Sequence, residues 1–339
     1  MKAVVKESPG PGFALRDVPV PEPPAGWVRV RVRAVGICGT DIPIFEGVRK
    51  VPYPLIPGHE FAGEVDALGS GVTGWQPGDR VAVGLVIGCG ACAACYRGEE
   101  NRCERITEIG IHINGAFAEY TLAPAKTLHR LPDHLSFADG ASVDPVASSY
   151  RGIRRLNLQP QDDVAIFGLG PIGLYALQAV RAHGVRRVIA ITPRRGLRGE
   201  VACRTGADAL IESAACADLV EAVRAANGGA LPTVIIEATG QPGVFADLLR
   251  VAAPGARVLL LGIFHAQATF DPAQIIRKEL RVEGSFCYTW DDFAASLDLI
   301  ARGKVRTTPV ITHTLPLTQM AEALDLIHRR EAVKVILQP

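Results

Sequence analysis

The chain carries no excess of charge of either sign. Its 36 lysines and arginines face 35 aspartates and glutamates, for a formal net charge of +1. That balance gives no sign of binding to nucleic acid or to a membrane surface. No apolar stretch reaches transmembrane length, and there is no internal repeat and no low-complexity linker. Met1 and Lys2 lead into a short strand-like run that meets Lys6 and Glu7 at once, which argues against an export leader. The expectation is a soluble, cytoplasmic protein whose partner is a small molecule. What is present is apolar bulk: 48% of 339 residues, enough for a large core and about two domains. Eight cysteines in a large chain without an export signal, four of them clustered, point to metal binding rather than disulfides.

Residues 1–150 are rich in Val, Gly and Pro. Val28–Val35 alternates apolar and basic residues, the period of a half-exposed strand. Phe61–Leu68 and Arg80–Val86 also read as strands, the second after the turn Gln76-Pro77-Gly78-Asp79. This is an antiparallel β domain. A helix, Pro145–Leu156, leads out of it. The period then changes. Val164–Phe167, Arg187–Ile191, Ala209–Ile211, Val234–Glu237 and Val258–Gly262 are short apolar strands, with Leu174–His183, Leu219–Ala226 and Val244–Val251 among the intervening helices. Such alternation predicts an α/β doubly wound parallel sheet. Arg281–Phe286 adds a last strand. A helix over 291–302 and a strand–helix–strand tail over 310–337 do not extend the alternation.

Gly168, Gly170 and Gly173 form a G-x-G-x-x-G between a strand and a helix. The first glycine permits the tight turn, the second lets a pyrophosphate approach, and the third lets helix and strand pack closely; the helix N-terminus favours the phosphates. Outside that context the motif is only a tight turn. Pro171 and Ile172 complete it. Thr239, Gly240 and the turn Gly262-Ile263-Phe264 lie at or just beyond strand C-termini, where ligands of such sheets bind.

Cys89, Cys92, Cys95 and Cys103 are spaced C-x2-C-x2-C-x7-C. Four thiolates close a tetrahedral shell, so this zinc is structural. An iron–sulfur cluster and four unligated thiols are the rival readings. Cys203, Cys216 and Cys287 read as buried, inert thiols. Cys38, His59 and Glu60, one soft and two harder ligands from separate loops, suit a zinc with an open position. Asp144, before Pro145, is a further carboxylate at a helix start.

Together these motifs, with Gly115-Ala-Phe-Ala-Glu-Tyr120, resemble the zinc-dependent medium-chain dehydrogenase/reductase family over nearly the full length, most closely its polyol, sugar-acid and threonine branches. The resemblance implies a GroES-like catalytic domain over 1–149 and 290–339, with a zinc lobe over about 88–104, and a Rossmann domain over 150–289. It implies Cys38 and His59 as fixed ligands of a catalytic zinc, Glu60 binding directly or from behind, and Asp144 completing or neighbouring the shell. Asp41 then bonds the free ring nitrogen of His59, and Thr40 touches the substrate oxygen and starts the proton relay. It also implies a homodimer or homotetramer through the edge strand at Arg281–Phe286.

Two features depart from the family pattern. Pro43 stands where many relatives carry the relay histidine, so the proton leaves by water, a ribose hydroxyl or another residue such as His112 or Tyr120. After the strand Val188–Ile191, where an acid selects NAD, stand Thr192-Pro193-Arg194-Arg195 and then Arg198. A hydroxyl and arginines favour the 2′-phosphate of NADP(H); otherwise they form a solvated loop. The expected enzyme has two zinc ions per chain, prefers NADP(H) to NAD(H), and interconverts a secondary alcohol and a ketone on a polyol, sugar acid or cyclitol. L-Threonine is the second substrate reading. A metal-independent quinone or enoyl reductase and a non-catalytic binding protein are the readings from other classes.

Overall fold

The computed structural model describes residues Met1–Pro339. The chain divides into two compact units: Met1–Ala147 with Cys287–Arg302 and Ile311–Pro339, and Ser148–Phe286 with Gly303–Val310. The boundary falls inside the helix Val143–Arg155. The segment Gly303–Val310 groups with the second unit, although the sequence assigned the whole tail to the first. No helix is long and apolar enough to cross a membrane.

The first unit is built on a seven-stranded sheet around the strand Trp27–Gly36. This strand pairs antiparallel with Glu60–Leu68, Tyr120–Pro124 and Lys334–Gln338. Its alternation has a direct cause. Val28, Val30 and Val32 are buried in the core, while Arg29 and Arg33 turn outward to Asp66 at 2.6 Å and Glu64 at 2.7 Å. The strand predicted over Arg80–Val86 stops at Val83. There Gly84 N donates to Thr127 O, and Leu85 N to the Tyr288 hydroxyl, so the chain leaves the ladder. Val86–Ile87 pairs instead with Thr107–Glu108 and closes the base of the cysteine lobe.

The second unit is a six-stranded sheet, all parallel. Counting from one edge, its strands are Ala209–Glu212, Arg187–Thr192, Asp163–Phe167, Val234–Glu237, Arg257–Leu260 and Arg281–Gly284. Strand order reverses between Asp163–Phe167 and Val234–Glu237, which opens the crevice where ligands of doubly wound sheets bind. Asp163–Phe167 is buried throughout, as a central parallel strand covered on both faces must be.

Candidate active site

Three neighbouring strands assemble the first cluster. Gly36 ends one strand, Glu60 opens the next directly opposite it, and Ile336 is the partner of Gly36 on the other side. Lys334, at the start of that third strand, donates through Nζ to Glu60 and, at 2.9 Å, to Ile37 O. Both ends of the ion pair are buried, at 1% and 2% exposure. A Cβ on Gly36 would press on the Glu60 carboxylate and the end of the Lys334 side chain, so a larger residue there would displace the ion pair. Burial pushes the Lys334 ammonium down to about 8, which leaves it largely protonated at neutral pH.

Cys38 follows the first strand, and a short turn carries the chain into the helix Asp41–Phe45. Asp41 N donates to Cys38 O at 3.0 Å, and Asp41 Oδ2 accepts from Cys38 N at 2.8 Å. The ligand atoms of Cys38, His59 and Glu60 all lie within 4.8 Å of one another. Behind them Asp41 Oδ1 lies 3.7 Å from His59 Nδ1, and neither atom has another partner although both are buried. Nδ1 thus faces the carboxylate, and the remaining ring nitrogen is the one left for a metal. Thr40 Oγ1 lies 3.6 Å from Cys38 Sγ and does not cap the helix it precedes, so its hydroxyl remains available.

The electrostatics fit a cation. Burial disfavours charge on His59, yet the Cys38 thiolate and Asp41 outweigh it and lift the ring to about 10. Burial alone would raise the Cys38 thiol, but His59 brings it below its usual value. Burial raises Asp41, against the pull of His59 and the Cys38 N–H. A half-buried thiolate beside buried carboxylates, together favouring positive charge at the histidine, is the donor set of a zinc site with an open position.

Asp144 is not among the three ligand groups that converge. Its Oδ2 accepts from the Tyr288 hydroxyl, which in turn accepts from Leu85 N at 3.0 Å. Burial lifts Asp144 to about 6, with Glu108 and Asp41 adding to the rise and Tyr288 and His59 opposing it. Tyr288, fully buried, went unnoticed in the sequence, as did Lys334. Each meets its partner only through the fold, 144 and 274 residues away.

The thiol groups of Cys89, Cys92, Cys95 and Cys103 also lie within 4.8 Å of one another. Backbone N–H groups of Cys89 and Arg105 point at Cys103 Sγ, both at 3.3 Å, and Ala91 N points at Cys89 Sγ at 3.5 Å. The Ala91 N–H and Arg105 draw Cys89 down to about 6, whereas burial pushes Cys95 up to about 11. Four convergent thiols with N–H groups aimed at sulfur fit a closed tetrahedral metal. Of the remaining cysteines, Cys203 corrects the sequence reading: it is exposed, on the helix Gly196–Thr205.

In the second unit the glycine turn has the geometry its motif requires. Gly168 has φ +93°, and a Cβ on Gly173 would lie 1.9 Å from Gly168 O. Gly170 has nothing within 4 Å of a Cβ, which leaves open space before the helix that begins at Pro171 and Ile172. Glu237, buried at the end of its strand, accepts from Thr239 N at 2.6 Å and Gly240 N at 3.0 Å and fixes that turn. Gly240 and Gly262 meet backbone to backbone, and a Cβ on Gly262 would lie 2.2 Å from Gly240 N. Ile263, just beyond Gly262, is 54% exposed, and Phe264 packs on Phe245 with ring centroids 6.1 Å apart. Thr192 Oγ1 donates to Arg194 O at 3.2 Å, and Arg195 N donates to Glu212 Oε2 at 3.1 Å. The Arg194 and Arg195 residues are exposed just before the helix at Gly196.

Comparison with known proteins bears on the whole chain. Residues 24–133 match the alcohol dehydrogenase GroES-like domain, and residues 171–302 match the zinc-binding dehydrogenase domain. Sorbitol dehydrogenase of Halalkalibacterium halodurans is 34% identical over all of this chain and 99% of its own length. An L-threonine 3-dehydrogenase of Saccharopolyspora erythraea is 35% identical over 99% and 98%. Among solved structures, an alcohol dehydrogenase of Escherichia coli complexed with NADH superposes with a TM-score of 0.93 at 32% identity, covering 100% of this chain and 99% of that one. A zinc-binding dehydrogenase of Sinorhizobium meliloti bound to NADP gives 0.93 at 33% over the same shares. With the parallel nucleotide-binding sheet, the antiparallel GroES-like unit and these matches, the chain belongs to the zinc-type medium-chain dehydrogenase family and is an alcohol dehydrogenase acting on CH–OH groups.

Proposed function

We propose that this dehydrogenase interconverts a secondary alcohol and a ketone on a polar, polyol-type substrate, with NADP(H) as cofactor and two zinc ions per chain. The observation that carries the reading is the convergence of half-buried Cys38 with buried His59 and Glu60, and Asp41 behind them. Cys38, His59 and Glu60 would hold zinc there, which would supply Lewis acidity toward an alcohol oxygen, and a nicotinamide at the glycine turn would supply the hydride acceptor. The chain's own residues do the rest. Asp41 holds the His59 ring so that its outer nitrogen faces the metal position. Thr40, whose hydroxyl is not spent on its helix, takes the substrate proton. Pro43 cannot relay it, so it passes on through water or a ribose hydroxyl. Lys334 neutralises Glu60 and holds it poised beside the metal position, while Tyr288 holds Asp144 close by. The four-cysteine lobe takes the structural zinc.

The choice of NADP(H) rests on residues 192–198, since equally similar relatives carry either cofactor. Thr192 shapes the turn by its bond to Arg194 O, and no acid follows this strand in the sequence where one would repel a 2′-phosphate; Glu212, at the end of the neighbouring strand, is engaged by Arg195 N. Arg194 and Arg195 lie exposed beside it and supply the guanidinium donors. A second substrate reading, L-threonine, is favoured by Asp144-Pro145 and by the likeness to a threonine dehydrogenase. The edge strand Arg281–Gly284, with Phe286 47% exposed just beyond it, supports pairing of two copies, which the mass in solution tests. A screen of polyols, sugar acids and threonine with each cofactor tests the main reading. Turnover of a polyol with NADP supports it, and a strong NAD preference or no alcohol turnover refutes it.

A further inference from the structure

Glu108 and Cys287 adjoin the Tyr288–Asp144 pair, and the mechanism above uses neither of them. Glu108 ends the short strand at the base of the cysteine lobe, and its side chain is only 7% exposed. Its Oε1 lies 3.6 Å from Cys287 Sγ, on a residue held at φ +45° immediately before Tyr288. Tyr288 reaches Asp144 and Leu85, and Leu85 O accepts from Ile109 N at 3.1 Å. Glu108, Cys287, Tyr288 and Asp144 are therefore tied into one wall, and the charge on Glu108 is felt at the Asp144 carboxyl.

The partners of Glu108 are weak ones. A thiol is a poor donor. His112 Nδ1 lies 3.7 Å from Glu108 Oε2, but it already accepts from Glu108 N at 3.0 Å, so that nitrogen carries no proton to give. Arg49 Nη2 is 3.9 Å away, inside ion-pair range and beyond hydrogen-bond range, and is 32% exposed. A buried carboxylate ordinarily has its acceptor sites filled. Glu108 keeps strong acceptor capacity in a wall that contains the proposed zinc-site carboxylate.

We propose that Glu108 selects the substrate by accepting a hydrogen bond from a hydroxyl adjacent to the reacting carbon. The substrate class is then a neutral vicinal diol or polyol. A carboxylate at that carbon with no ammonium beside it, as in a simple 3-hydroxyacid, would meet Glu108 and Asp144 as like charges. Arg49 offsets the charge of Glu108 from the exposed side without filling its lone pairs. This inference rests on the alcohol dehydrogenase reading of the same site.

The test compares kcat/KM of the zinc-loaded enzyme for 2,3-butanediol, 2-butanol and 3-hydroxybutyrate, with NADP and with NAD. The wild type is expected to prefer the diol to the mono-ol by about 30-fold, the worth of one hydrogen bond to a charged group. In Glu108→Leu that ratio should fall close to one, mostly through KM. Glu108→Gln keeps the shape and an acceptor oxygen, and it should give an intermediate ratio with improved relative use of the hydroxyacid. An unchanged ratio in both variants overturns the proposal, as does a wild-type preference for the hydroxyacid that Arg49→Ala abolishes. A wild type that turns over none of the three overturns the underlying reading, and this proposal with it. Zinc content and melting temperature of each variant show whether it has folded. If Glu108→Leu does not fold, the Glu108→Gln ratio decides alone.

Discussion

Replacing Lys334 by Met would leave Glu60 as a buried carboxylate without its only hydrogen-bond donor. Both side chains are essentially excluded from water, and Glu60 sits where three strands meet, so neither can swing out to be solvated. Breaking a buried pair on one side costs about 3–5 kcal/mol, whereas replacing both partners by neutral groups of similar volume is often close to neutral. Lys334→Met and Glu60→Gln are therefore each expected to destabilise the first unit by about 3 kcal/mol or more, and the double variant by about 1 kcal/mol, on that same asymmetry. The coupling in the double-mutant cycle is then several kcal/mol and favourable. The readout is well placed, because Trp27, Trp75 and Trp290 all belong to the first unit and tryptophan emission follows it alone. Urea unfolding of the four zinc-free proteins, prepared identically, gives the cycle. A coupling below about 0.5 kcal/mol, within the range of an exposed pair, would refute the claim that Lys334 holds a charged Glu60 in the core.

Three further outcomes follow from the same structure. Cys92→Ser opens the four-thiol shell, so it should lose one zinc and lower the melting temperature by several degrees, while the folded fraction retains most of its kcat. Arg194→Ala with Arg195→Ala should lower kcat/KM for NADP by about 10-fold or more and that for NAD much less, as expected for lost charge-assisted bonds to a phosphate. Burial would raise Asp163, but bonds from Arg186 and Asn227 hold it below the usual carboxylate range. Its folded pKa is depressed, so its stabilising contribution is complete above the unfolded carboxylate value and is lost as pH falls through the folded one. Melting temperature against pH should therefore drop more steeply below about pH 4 in the wild type than in Asp163→Asn; parallel curves would contradict the assignment.

Local pattern made much of this architecture legible. The alternation of Val28–Val35 stated which face of the strand meets the core, and Arg29 and Arg33 occupy the other face as expected. The parallel strands and the glycine turn were readable because burial on both faces and backbone crowding at Gly168 and Gly173 both act within a few residues. Cys38, His59 and Glu60 were readable as ligand types, and the fold brings them together. What stayed hidden depends on contact between distant segments. Nothing near Lys334 marks it as the partner of Glu60, and nothing near Tyr288 marks it as the donor to Asp144. Glu237 reads as the last residue of an apolar strand, yet its buried carboxylate organises the turn at Thr239 and Gly240. The break at Gly84 was missed for a similar reason, since its hydrogen bond goes to Thr127 rather than to the ladder.

Cys38, His59 and Glu60 are proposed to hold a catalytic zinc distinct from the one in the cysteine lobe. Zinc per chain, measured by mass spectrometry on wild type and Cys38→Ser, tests it most directly. About two ions are expected in the wild type and one in the variant, with alcohol turnover lost by about 100-fold or more, since groups that merely support a ligand are already worth about 10–100-fold. Equal zinc content in the two proteins, or full activity in the variant, would contradict it.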